Sequence, residues 1–112
     1  MMRFAFVTAL FGAASSAFAA EQPVNAASAM AIARGNACIG CHAIDRKLVG
    51  PSFQQIADKY KGDGQALAKL AAKMKTGGAG VWGSITMPSH PGMSDADVRT
   101  VVAWVLAGAP PK

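Results

Sequence analysis

Two cysteines, two histidines and six acidic residues in 112 positions leave few chemistries open. Cysteines three positions apart cannot build a disulfide framework, and a bare Cys38–Cys41 bridge would close a tight, strained loop of little structural value. A structural zinc site needs four spaced ligands; here His42 abuts Cys41 and His90 is far along the chain. A thioredoxin-type redox pair belongs in a βαβ context, and no strand-like alternation precedes Cys38. There is no internal repeat, and no low-complexity segment beyond an alanine-rich opening. Acid is scarce enough to leave a net charge of +5 and a pI near 9.6. That surface is mildly basic, too weakly so for nucleic acid, and suited to an acidic protein patch.

What is present begins with an export signal. Met1-Met2-Arg3 is a short basic segment, Phe4 to Ala14 an apolar run too short to span a bilayer, and Ala17-Phe18-Ala19 an A-x-A cleavage site. We expect residues 1–19 to be a cleaved Sec-type leader and 20–112 to be one domain in the periplasm, without stable membrane insertion. Loss of Arg3 with the leader leaves ten basic and six acidic residues, a net of +4. A domain of that length has little core of its own.

Cys38-Ile39-Gly40-Cys41-His42 holds both cysteines. C-x-x-C-H reads as a covalent attachment site for c-type haem. Each thiol can add across one haem vinyl, and the adjacent imidazole is carried beneath the iron as a proximal ligand. Such a group would also give a small domain a large apolar body to pack around.

The rest reads as short helices. Ala26 to Ala37 has Met30, Ile32 and Ala33 as its apolar face, with Asn25 as cap. After a loop ending at Gly50-Pro51, Ser52 to Tyr60 places Phe53, Ile56, Ala57 and Tyr60 on one side. Gln65 to Lys75, with Asp63 as cap, aligns Leu67, Leu70, Ala71 and Met74. Ser94 caps a last helix striped by Val98, Val101, Val102 and Val105, with Leu106 beside them, and Gly108 and Pro110-Pro111 end it. Thr76 to Met93 has no period, and an irregular stretch that long in a small domain is usually functional. The fold class is all-α, about four short helices around one haem.

A six-coordinate iron needs a second ligand, and the candidates are Met30, Met74, Met87, Met93 and His90. Met30 and Met74 lie on helical faces, where methionine is core filler. Met93 precedes the Ser94 cap and has Val98 at the staple position. Met87, in the irregular loop and followed by Pro88, is the choice: a loop can lift one thioether over a flat ring where a regular helix cannot. His90 as ligand would give a bis-histidine haem of lower potential; it is read instead as a surface histidine.

Ordered motifs across nearly the whole mature chain then carry a resemblance: Cys-Ile-Gly-Cys-His-Ala-Ile-Asp at 38–45, Val-Gly-Pro at 49–51, Gly-Val-Trp-Gly at 80–83, Met-Pro at 87–88 and Trp-Val-Leu at 104–106. The sequence resembles the small bacterial class I c-type cytochromes, especially the short "five-fifty-one" type. The resemblance implies thioethers at Cys38 and Cys41, axial ligands His42 and Met87, and the Pro51 carbonyl bonded to the His42 ring. It implies an indole N–H of Trp82 given to a haem propionate, and Lys73 near a propionate. Phe53 and Trp104 are expected in the core. Thr86 stands where the family has a proline before the methionine, and His90 near an asparagine that bonds the methionine sulfur. The implied function is electron carriage, not enzymatic catalysis, by a monomer. Its donor would be a membrane quinol-oxidising complex, its acceptor a terminal oxidase, a nitrite reductase or cytochrome c peroxidase. The alternative is a haem enzyme or gas-binding cytochrome whose axial methionine is displaced.

Overall fold

The computed structural model describes residues 24–112, so the expected leader 1–19 lies outside the described residues. Four α-helices follow one another: α1 Ala26–Gly35, α2 Phe53–Lys59, α3 Ala66–Thr76 and α4 Asp95–Leu106, with one turn of 3₁₀ helix at Cys38–Gly40. Among the described residues pairing of the β type is confined to two isolated bridges, His42 with Lys47 and Gly78 with Met87. Helix α4 is the spine. It packs against α1, α2 and α3, and its Val98, Val101, Val102, Trp104 and Val105 are all buried.

Helices α1, α2 and α4 each start where a side chain holds an orphaned N–H group of the first turn. Asn25 accepts from the Ser28 N–H, and Ser94 from the Asp97 N–H. Ser52 and Gln55 form a reciprocal capping box: the Ser52 hydroxyl accepts from the Gln55 N–H at 3.0 Å, and the Gln55 side chain accepts from the Ser52 N–H at 2.8 Å. Asp63 does not cap α3 in the expected way. It stands two residues before the cap position, Gln65, accepting from that backbone N–H at 2.8 Å and from Lys69 Nζ at 2.7 Å.

Two apolar faces differ from the periodicity reading. Helix α1 buries Ala26, Ala29 and Ala33, leaving Met30 and Ile32 at the margin. Helix α1 packs on α4, and its buried positions are all alanine. On α3 the buried residues are Ala66 and Met74, with Leu70 and Ala71 half-buried, while Leu67 is 40 % exposed. Ala66, Leu70 and Met74, four residues apart, share one side of α3, and Leu67 lies off that line. Helix α1 also stops at Gly35 rather than Ala37: Asn36 Nδ2 folds back onto the Ile32 carbonyl, and Ala37 takes a left-handed φ of 58°.

The irregular segment between α3 and α4 is pinned at its ends. The His90 N–H donates to the Met74 carbonyl at 2.9 Å. Lys75 reaches from α3 to the Met93 carbonyl and, at 3.0 Å, to the Asp95 carboxylate. Met93 and Val98 are both buried on either side of the Ser94 cap, as a hydrophobic staple places them.

Candidate haem-binding site

The left-handed Ala37 turns the chain out of α1 and into the 3₁₀ turn, where the Cys41 and His42 N–H groups both donate to the Cys38 carbonyl, at 3.2 and 3.0 Å. This tight coil brings both sulfurs and the imidazole onto one wall of a single cavity. Both thiols are free and partly buried. Burial pushes the Cys38 thiol above its ordinary value, and the nearby Cys41 adds to the shift against a backbone hydrogen bond that lowers it.

His42 is held on three sides. Its Nδ1 lies 2.6 Å from the Pro51 carbonyl. A carbonyl can only accept, so Nδ1 carries a proton; in the neutral ring that leaves the lone pair on Nε2, the arrangement of a metal-binding imidazole. Gly50 passes close against the ring: a Cβ there would lie 2.7 Å from His42 Cε1, 3.1 Å from Nδ1 and 3.3 Å from Nε2. Phe53 stacks on the imidazole with centroids 5.4 Å apart and planes at 21°. Phe53 in turn meets the edge of Trp104 at 5.3 Å, and Trp104 donates its Nε1–H to the Pro110 carbonyl at 2.8 Å. The expected core residues Phe53 and Trp104 are in the core, and Phe53 also braces the imidazole.

The cavity measures about 320 Å³ and its lining is mostly apolar. Cys38, Cys41, His42, Pro51, Trp82 and Met87 all lie on its wall, and Val101, Val102 and Val105 of α4 form part of it. Lys73 lines it too. Met74 does so from the buried face of α3, whereas Met30, Met93 and His90 do not. His90 is not the surface histidine expected. It is half-buried, and its Nδ1 is enclosed without a hydrogen-bond partner, because its backbone is drawn onto the end of α3. Trp82 is 45 % exposed at the mouth, with Lys59 Nζ 5.3 Å above its ring, a contact no local pattern announces. Around it Val49, Val81 and Ile85 are exposed apolar side chains that also line the cavity.

An apolar slot, two free thiols one turn apart and an imidazole with its Nε2 lone pair fit a covalently anchored haem. The family model described as "Cytochrome c" matches residues 26–109, most of the chain. The chain belongs to the cytochrome c family. It is 52 % identical over 69 residues to cytochrome c-551 of Azotobacter vinelandii, covering 62 % of this chain and 83 % of that protein. It is 37 % identical over 107 residues to cytochrome c-552 of Hydrogenobacter thermophilus, covering 96 % and 98 %. The crystal structure of wild-type Nitrosomonas europaea cytochrome c552 superposes with a TM-score of 0.68 at 42 % identity, over 70 % of this chain and 98 % of that one. The fold is therefore the all-α fold of a small class I monohaem c-type cytochrome, and its cofactor is one covalently attached haem c. The cytochrome is an electron carrier and not an enzyme.

Proposed function

We propose that this cytochrome shuttles single electrons between respiratory partners in the periplasm, with Cys38 and Cys41 in the thioether bonds and His42 and Met87 as axial ligands. The observation that carries the reading is the meeting of these four side chains on one apolar cavity, while the rival ligand His90 stays off its wall. The haem, when bound, supplies an iron that cycles between the ferrous and ferric states.

The chain's own contribution is positional. Pro51 orients the imidazole and increases its basicity through the Nδ1 bond. A thioether from Met87 favours a higher potential than a second imidazole, and closing that position leaves no place for oxygen or peroxide. Val101, Val102 and Val105 keep water away. Trp82 and Lys73, both on the cavity wall, are suited to hold propionates. The leader expected at residues 1–19 supports export, and among the described residues no helix is long and apolar enough to cross a membrane.

Lys47 and Lys73 stand on the cavity wall and Lys59 over the Trp82 ring at its mouth, beside exposed Val49, Val81 and Ile85. This surface suits brief docking onto acidic, apolar-centred patches. We assign the donor to a membrane quinol-oxidising complex, and the acceptor to a terminal oxidase, nitrite reductase or cytochrome c peroxidase. The test is the rate of oxidation of the ferrous protein by each acceptor over a salt series. The rate falls with ionic strength if lysines steer the encounter; a rate indifferent to salt for every acceptor contradicts that docking surface.

A further inference from the structure

We propose that the Gly77-Gly78 pair closing α3 is the positioning element for Met87, and that no side-chain-bearing residue can replace Gly77 without releasing that methionine. The proposal rests on Met87 being the axial ligand.

Gly77 has φ 68° and ψ −160°, a region essentially restricted to glycine. Its N–H donates to the Lys73 carbonyl at 2.7 Å, so the unusual backbone is welded to the helix end. A Cβ on Gly77 would lie 2.5 Å from the Met87 carbonyl oxygen, 2.8 Å from the Ser89 nitrogen and 2.9 Å from the Pro88 carbonyl carbon. All three are backbone atoms, which cannot swing aside as the tip of a side chain can.

Gly78 then pairs with Met87 in both directions: each N–H donates to the other's carbonyl at 3.0 Å. Three residues on, the His90 N–H is bonded to the Met74 carbonyl, again in the last turn of α3. Residues 87–90 are thus tied at both ends to one helix terminus, which is itself packed on α4. What remains free in Met87 is its side chain, which lies on the cavity wall. The missing Cβ at Gly77 lets the two backbones touch, and that contact fixes where the thioether starts.

The ferric holoprotein tests this through competition by free imidazole, which binds only where the sixth ligand has left. Gly77→Ala is expected to bind imidazole at least about tenfold more tightly than the parent, the factor corresponding to one released backbone strain. Its reduction potential should also change, and its long-wavelength Met–iron absorption band should weaken. Gly78→Ala, with φ 122° and only the flexible Lys73 Nζ at 3.3 Å from the added methyl, should move in the same direction by less; it decides the matter if Gly77→Ala yields no holoprotein. Gly92→Ala, in the same loop with open space around it, should match the parent. Ala29→Leu, destabilising but remote, should lower Tm without changing imidazole affinity.

Parental imidazole affinity, band and potential in the glycine variants would overturn the proposal. A tightening equal to that of Ala29→Leu would do the same. Met87→Ala separates the two claims. If it retains the band, the ligand assignment fails; if it loses the band while the Gly77 and Gly78 variants keep theirs, only the positioning role fails.

Discussion

His42 shows how little of a functional residue's setting lies in the residue itself. The ring is fixed by a carbonyl at Pro51, an aromatic face at Phe53 and the bare backbone of Gly50. Gly50→Ala would place a methyl against the imidazole ring, and either the ring or the Gly50-Pro51 backbone must give. We expect it to cost about 1–3 kcal/mol, the usual range for overpacking, seen as a fall in Tm, and to disturb the His42–Pro51 hydrogen bond, seen as a changed reduction potential. A variant with parental stability and potential would show that the close approach is slack. The C-x-x-C-H spacing was legible as a haem site because covalent haem attachment is local chemistry, and the Gly-Pro after it could be matched to a supporting carbonyl. The stacking of Phe53 and the exclusion of a side chain at Gly50 were not legible. They depend on how α2 meets the loop after His42, which no local period encodes. The enclosed Nδ1 of His90 was misjudged for the same reason: a polar residue in a glycine-rich loop reads as exposed until the end of α3 draws it in.

At the scale of elements, the caps of α1 and α4 were readable, that of α3 was not, and contact faces were readable only in part. Asn25 and Ser94 announce their helices through the spacing of acceptor and backbone donor. Periodicity named the valine stripe of α4 correctly, since a helix buried by several neighbours needs every apolar residue it has. On α1 and α3 it named Ala33, Leu70, Ala71 and Met74 rightly, but it missed the buried Ala26, Ala29 and Ala66 and placed the exposed Leu67 on the inner face. Ala29 is fully buried where α1 crosses the core, so Ala29→Leu is expected to destabilise by about 1–3 kcal/mol. Thermal or denaturant unfolding measures this; an unchanged midpoint would mean α1 stands off from α4. The start of α3 carries a pH signature. Lys69 and the Gln65 N–H hold the Asp63 carboxyl below the usual carboxylate range. A depressed folded-state value makes this contribution present above the unfolded value, about 3.9, and it is lost as pH falls through the folded one. The groups are exposed, so the effect is small. Asp63→Asn should lower Tm slightly at pH 7 and not at all in strong acid; a difference that persists in strong acid would contradict the ion-pair account.

Across the whole molecule, the hydrophobic core and the cavity share a wall. Val101, Val102 and Val105 belong to both, and Phe53 joins His42 to Trp104 in the interior. A domain of this size buries little surface by itself, and a haem in this cavity would extend that core along the α4 valines. Stability and redox chemistry are therefore built from the same residues. The central claim is that one iron is held between His42 on one side and Met87 on the other. The most direct measurement is the long-wavelength charge-transfer band of the oxidised holoprotein, which reports a methionine sulfur on ferric haem, compared between the parent and Met87→Ala. The band is expected in the parent and lost in Met87→Ala, with haem still covalently bound at Cys38 and Cys41. A parent without the band, or a Met87→Ala protein that keeps it, would contradict the account.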